Sequence, residues 1–392
     1  MLPIIMINRI VTAGHLSAST CFLWGPRQSG KSTLLRSLFP KAPYYDLLRA
    51  AEFRRLSADP GLLGQECEAL GWSASRQPHP IIIDEIQKLP ELLDEVHSLH
   101  SRLGLKFILT GSSPRKLLRG GGNLLGGRAV RRELFPLVSA ELADFSLRRA
   151  LNHGTLPPHY ISDSPEPLLA AYVGDYLREE VLAEGIARSL PSFQRFLEVA
   201  ALSNGQILNY AGIGREVGVA ANTVRSWFEV LTDTLIGCWL PAWRKRPKRR
   251  VIESPRFYFF DVGLVNELAH RGELRPGSAE FGAAFEHFIF LELRAHASYT
   301  GDRRPLSYWR TTSGFEVDFV LGDAEVAIEA KSSESVTSDH LRGLREWRTE
   351  HRSSRCILVA RVPKARVTED GIEILPIERF LEALWAGELV RR

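Results

Sequence analysis

Cysteine is scarce in this chain of 392 residues, with four in all, and Met is rarer still at two. Cys21, Cys67, Cys238 and Cys356 are scattered, with no CxxC and no neighbouring histidine pair. That spacing excludes a disulfide framework and a cysteine-ligated zinc site, and it suits a reducing compartment. No uninterrupted apolar run approaches the roughly 20 residues of a membrane span. The opening stretch MLPIIMINRI has neither a basic leader nor a cleavage signal, so the expectation is a cytoplasmic protein without a membrane partner. Low-complexity tracts and internal repeats are missing as well. The formal charge of +4 leaves no bulk excess to argue for a polyanionic partner, so that argument falls to local clustering.

What is present is a globular composition, 44% hydrophobic and 24% charged, in a chain too long for one ordinary core. Two to four domains are expected. Residues 20–135 alternate short apolar runs (20–24, 81–83, 106–109 and 129–134) with helical stretches, the pattern of a parallel sheet wrapped in helices. From 136 to 202 the pattern is helical over 138–151, 167–186 and 191–202. Residues 152–167, NHGTLPPHYISDSPEP, read as a linker or surface loop. Residues 205–260 have the spacing of a helix-turn-helix followed by a strand pair. A helix over 281–295, strands at 306–310, 316–321 and 326–331, a helix near 338–350 and a strand at 356–360 form a further α/β unit.

GPRQSGKST, residues 25–33, fits G-x-x-x-x-G-K-[ST] without a gap, between a strand and a helix. Gly25 and Gly30 let the backbone curl so that its N–H groups face phosphates, and the helix N-terminus adds a favourable dipole. Pro26, Arg27, Gln28, Ser29 and Thr33 complete the wrapping segment. Lys31 is a flexible cation for β- and γ-phosphates, and the Ser32 hydroxyl suits magnesium. In PIIIDE, residues 80–85, an apolar strand delivers Asp84 to the same metal and Glu85 to an attacking water. ATP and Mg2+ are therefore the expected ligands. No acid occurs from Gly111 to Arg132, and Arg128 in GGRAVRREL is the candidate finger reaching a neighbouring subunit's site, which would make the chain a homo-oligomer and allow a ring.

The motifs GPRQSGKST, IIIDEIQKLPELL, FILTGSS and GGRAVRRELFPLVSAEL together resemble a bacterial and archaeal family of AAA-type ATPases, whose ATPase is followed by a C-terminal domain of unknown function. The likeness continues through NYAGIGREVGVAANTVRSWFEVLTDTLIG and FYFFDVGLVNEL to YWRTTSGFEVDFVL, nearly the whole chain. It implies a sensor for the γ-phosphate at the end of FILTGSS: Ser112, with Thr110 and Ser113 as close rivals.

Two features point to DNA. In 211–231 the apolar positions pack inward and leave Asn222, Thr223 and Arg225 on the exposed face of the second helix. Residues 244–250, RKRPKRR, then place Arg244, Lys245, Arg246, Lys248, Arg249 and Arg250 where a wing would lie. Near the end, Asp318, ten intervening residues and Glu329-Ala330-Lys331 give the D-(x)n-E-x-K pattern of the restriction-endonuclease-like fold. Asp318, Glu329 and Glu286 from the preceding helix are the expected magnesium ligands there, with Lys331 beside them.

The expected architecture is α/β: a P-loop AAA-type ATPase core (1–150), a helical lid or linker (151–203), a winged-helix unit (204–270) and a restriction-endonuclease-like α/β domain (271–392). The expected function is a DNA-acting Mg-dependent ATPase, a motor or remodeller. Two alternatives stand beside it: an ATP-dependent switch or scaffold for a protein partner with an inactive nuclease-like domain, and a nucleotide-regulated nuclease.

Overall fold

Strands that are apolar on both faces need helices on both sides, and a parallel sheet supplies that environment. The computed structural model describes residues 7–115, 117, 125–177, 190–244 and 254–390. It divides into two units, residues 1–136 with 233–236, and the remainder.

In the first unit, β1 (Cys21–Trp24), β2 (Tyr44–Asp46), β3 (Ile81–Asp84), β4 (Phe107–Gly111) and β5 (Val130–Glu133) form one sheet in the order β2-β3-β4-β1-β5. Every pairing in it is parallel. Helix α1 (Lys31–Leu38) follows β1, and α2 (Leu92–Leu103) precedes β4. Because β4 lies between β1 and β3, the loops after all three strands gather at one edge, where open α/β sheets bind ligands. Phe22, Ile81, Ile83, Phe107 and Leu109 are fully or almost fully buried in the core beneath that edge. The expected runs at 20–24, 81–83, 106–109 and 129–134 all carry strands. Strand β2 and the helices Ala50–Ala58 and Gly61–Ala69 were not anticipated, because three-residue strands and short polar helices leave little periodicity to read.

In the second unit, α3 (Leu190–Leu202), α4 (Tyr210–Val217) and α5 (Ala221–Asp233) are followed by the antiparallel pair β6 (Gly237–Leu240) and β7 (Arg256–Phe259). An aromatic cluster joins them: Phe196 meets Trp227 and Phe228, and Phe228 stands edge-on to Phe257 with ring centroids 4.8 Å apart. The last portion runs α6 (Ala279–Thr300), β8 (Leu306–Arg310), β9 (Glu316–Leu321), β10 (Val326–Lys331), α7 (Arg342–Glu350), β11 (Arg355–Ala360), β12 (Arg366–Val367), β13 (Glu373–Pro376) and α8 (Ile377–Trp385). Its sheet is ordered β12-β13-β11-β10-β9-β8. The strands at 306–310, 316–321 and 326–331 occupy the expected residues. Trp243, Trp309 and Trp347 share the core on one face of this sheet.

Two expectations for 136–167 are corrected. The single helix over 138–151 is instead a short turn at Ser139–Glu141 and a helix at Leu147–His153. The segment 152–167 is not a surface loop: Thr155 and His159 are buried, and the Asp261 carboxylate accepts the Thr155 N–H at 2.7 Å. That same carboxylate caps the helix Val262–Leu268. A long-range carboxylate overrides the local proline-rich signal. The tail of the expected 167–186 helix lies outside the described residues. All four cysteines are free and buried. Among the described residues no helix is long and apolar enough to cross a membrane.

Glu292 of α6 is buried, accepting hydrogen bonds from the Ser139 N–H (2.7 Å), the Ser139 hydroxyl (2.8 Å) and the Trp385 indole N–H (2.7 Å). Burial pushes its carboxyl from near 4.5 up to about 7. A value raised on folding means that the linked stability is full below about 4.5 and is lost as pH rises through about 7. Urea midpoints measured at pH 5 and pH 8 should therefore differ less in Glu292→Gln than in the unmodified chain. Equal pH dependence in the two proteins would contradict this.

Candidate functional site

The loop from Gly25 to Gly30 turns where side chains cannot follow. A Cβ at Gly25 would lie 2.4 Å from the Leu134 carbonyl, and Gly30 sits at φ 93°. Both demand glycine. The loop feeds α1, whose first-turn N–H groups have no intrahelical acceptors and so face the concavity. Lys31 is 5% exposed, and its ammonium donates to the Gly25 carbonyl at 2.7 Å and the Pro26 carbonyl at 3.1 Å. The Ser29 hydroxyl is buried with no hydrogen-bond partner. A phosphate in the loop would satisfy that hydroxyl and draw the ammonium off its own backbone. From the N-terminal segment, Arg9 braces the loop, donating to the Ser29 carbonyl at 2.8 Å and the Phe135 carbonyl at 2.7 Å.

Ser32 and Asp84 come together: the hydroxyl donates to Asp84 Oδ2 at 2.7 Å. Tyr44 donates to the same oxygen at 2.5 Å, and Thr110 donates to Oδ1. Burial and the Asp84 carboxylate raise the Tyr44 hydroxyl well above the usual phenol range, so it stays a donor. A hydroxyl and a carboxylate oxygen converging beside a phosphate-shaped loop are the donor set a magnesium ion takes. The residues present fit that ion, which Ser32 and Asp84 would hold.

Glu85 follows at φ 63°, a left-handed conformation that a glutamate adopts only when its surroundings impose it. Its N–H reaches Thr110 Oγ1 at 3.3 Å. Gln87 donates its amide both to the Glu85 carboxylate and to the Ser112 hydroxyl, the latter at 3.2 Å. Ser112 is thus tied to Glu85 through Gln87. Thr110 sits instead on Asp84, and the Ser113 hydroxyl accepts the Arg115 N–H at 3.3 Å. Arg128 is exposed and contacts His97 of α2.

The second cluster lies on the C-terminal sheet. Glu286, Asp318, Glu329 and Lys331 converge, and Arg256 of β7 stands among them, 3.0 Å from Glu286 Oε1 and 3.9 Å from Asp318 Oδ1. Lys331 pairs with Glu329 at 2.5 Å. Among the described residues no group of three or more His, Cys, Asp or Glu side chains is arranged to hold a metal ion. Arg256 thus stands inside the group of acids expected to hold magnesium, paired with Glu286 and near Asp318.

On α5, Asn222 and Arg225 are exposed and Thr223 half-buried, while Val224, Trp227 and Phe228 face the core. Arg225 is 3.4 Å from Glu229, one turn on. Arg244 is exposed. Lys245, Arg246, Lys248, Arg249 and Arg250 lie outside the described residues.

Residues 17–143 match the family model described as an AAA domain, and residues 281–380 match a domain of unknown function, DUF4143. Between these, residues 144–275 match another domain of unknown function, DUF8612. Uncharacterized proteins of Mycobacterium tuberculosis and Mycobacterium bovis are each 29% identical over 313 residues, 78% of this chain and 68% of theirs. Among solved structures the chain is similar to a Walker-type ATPase of Pyrococcus abyssi, at 17% identity over 64% of this chain and 90% of that one, TM-score 0.43. It is also similar to a signal transduction ATPase with a tetratricopeptide repeat sensor from Pyrococcus horikoshii, at 16% identity over 75% and 47%, TM-score 0.24.

Within the AAA domain, sequence reading missed Tyr44, Gln87 and Arg9. Gln87 had a usable signal, since it stands two residues past the Asp-Glu pair. Tyr44 and Arg9 are distant in sequence and carry none. If Gln87 holds Glu85 and Ser112 in register, Gln87→Ala should lower ATP turnover roughly 10- to 100-fold while leaving KM for ATP nearly unchanged. A rise in KM matching the fall in kcat would instead mark a purely structural role.

Proposed function

We propose that the AAA domain binds ATP with magnesium and hydrolyses it, and that the chain applies this cycle to DNA. The observation that carries the first part is the Ser32–Asp84 contact at 2.7 Å beneath a loop whose Ser29 hydroxyl is unsatisfied. Matching of residues 17–143 to an AAA domain supports it.

Lys31 leaves the Gly25 and Pro26 carbonyls and pairs with the β- and γ-phosphate oxygens. The loop N–H groups and the α1 N-terminus take the remaining charge. A magnesium ion held by Ser32 and Asp84 would neutralise charge as it develops on the phosphates. Glu85 orients a water in line with the γ-phosphorus. As the water oxygen bonds to phosphorus, the bond to the β,γ-bridging oxygen breaks, ADP leaves, and the water's proton passes to Glu85. Gln87 sets where the Glu85 carboxylate rests, and Ser112 at the end of β4 is the group through which the γ-phosphate's presence reaches Gln87. Arg128, exposed at the AAA domain surface, serves a neighbouring subunit's site in a homo-oligomer.

For DNA, the supporting features are the helix pair α4–α5 with Asn222 and Arg225 exposed, an antiparallel strand pair directly after it, and six basic residues in 244–250. Residues 151–203 then act as a lid and linker, 204–270 as a winged-helix reader and 271–392 as a nuclease-shaped α/β platform. The four buried free thiols suit a cytoplasmic setting.

The test is steady-state ATP turnover with and without single-stranded, duplex and branched DNA. Turnover stimulated by DNA in a salt-sensitive way is expected. Lys31→Ala should be inactive, and Glu85→Gln should lose roughly 100-fold or more in kcat while still binding nucleotide. A chain that turns over no ATP refutes the first part. Turnover indifferent to every DNA, but raised by a copurifying protein, refutes the DNA reading in favour of a protein-partner switch.

A further inference from the structure

The carboxylate cluster of the DUF4143 domain is not spent by the ATPase reading, and its inventory is unusual. Glu286 comes from α6, Glu316 and Asp318 from β9, and Glu329 and Lys331 from β10. Arg256 enters from β7, outside this sheet, and is 3% exposed. Its guanidinium bonds Glu286 at 3.0 Å, contacts Glu316, and lies 3.9 Å from Asp318. It is also stacked 4.5 Å from the centre of the Tyr308 ring, which fixes its plane. Arg310 closes the outer side, 3.3 Å from Glu316.

Most of the carboxylate oxygens are already engaged. Asp318 Oδ2 accepts the Ala330 N–H at 2.9 Å, Glu286 Oε1 accepts the Tyr258 hydroxyl at 2.5 Å as well as the arginine, and Glu329 Oε1 takes Lys331 at 2.5 Å. Two buried atoms have no partner: Glu329 Oε2 and Arg256 Nε. The cluster therefore retains a buried carboxylate oxygen without a hydrogen-bond partner, in a group of acids that already holds a guanidinium. Burial, then the neighbouring Asp318 carboxylate, pushes the Glu329 carboxyl up to about 8.

We propose that Arg256 is the resident cation of this cluster: it occupies the place of a divalent ion, so that the DUF4143 domain binds no divalent metal there and cleaves no phosphodiester while the arginine is in position, and becomes a divalent-cation site when it is removed. A guanidinium cannot lose its charge near neutral pH, so no proton release makes room for a metal. Magnesium requires oxygen ligands at about 2.0–2.1 Å in near-octahedral order, which an arginine wedged between Glu286 and Asp318 prevents. Taking the arginine away leaves buried acids short of positive charge, and a divalent ion is then the natural replacement.

The experiment is Mn2+ binding to the full-length, nucleotide-free chain, followed by electron paramagnetic resonance, with Asp84→Asn present throughout to silence the P-loop. Expected is no Mn2+ site sensitive to Asp318→Asn while Arg256 is present. Arg256→Met, which keeps length and removes charge, should gain one site per chain, at least about tenfold tighter than background and lost again on adding Asp318→Asn. The proposal is overturned if the Arg256 protein already binds Mn2+ in an Asp318-dependent way. It is equally overturned if folded Arg256→Met gains nothing. Should Arg256→Met fail to fold, the Mn2+ isotherms with and without Asp318→Asn in the Arg256 protein decide: superimposable curves support the resident cation, and separated curves refute it. Nicking of supercoiled plasmid in Mn2+ should follow the same pattern.

Discussion

One contact organises the nucleotide end of this molecule: the hydroxyl that opens α1 meets the carboxylate that closes β3. Neither residue is near the other in sequence, and their meeting requires a parallel sheet in which β4 separates β1 from β3. The arrangement concentrates donors (the α1 N-terminus, the Lys31 ammonium, the partnerless Ser29 hydroxyl) on one side and acceptors (Asp84, Glu85) on the other. Such a separation of charge is unfavourable without a ligand that bridges it, and a polyphosphate with a divalent cation has that complementarity. Tyr44, Thr110 and Gln87 hold the two acids in place, so the positions of Asp84 and Glu85 are set by partners from β2, β4 and the turn after β3.

The C-terminal cluster follows the opposite logic. There the acids outnumber the cations only slightly, and a built-in guanidinium supplies what a metal would. The two sites show how similar residue types reach different ends. Where carboxylates face an open loop lined with N–H groups, they await a ligand. Where they face a buried arginine stacked on tyrosine, they form a closed network. The Asp318–Glu329–Lys331 spacing reports the strand geometry and is silent about which cation fills the centre.

That contrast also explains what could be read from residue order. The P-loop and the Asp-Glu strand were legible because each is a contiguous string whose chemistry depends on adjacent positions. Strands β8 to β10 were legible because alternation survives in them. Arg256 was not: it belongs to β7, and nothing in RFYFF signals that its side chain crosses to acids on α6 and β9. The segment 152–167 misled for a related reason. Its prolines and polar residues look like a loop, yet Asp261, about a hundred positions later, buries it by taking the Thr155 N–H. Local composition reports local preference, and buried long-range hydrogen bonds override it.

The central claim is that the edge formed by the Gly25–Gly30 loop and Asp84 is a magnesium-dependent nucleotide cradle. Equilibrium titration of a fluorescent ATP analogue, with magnesium present and then removed by chelation, tests it directly. The account predicts saturable binding of one nucleotide per chain that weakens markedly on chelation and on Ser32→Ala. Binding that is absent, or that is unaffected by both changes, would contradict it.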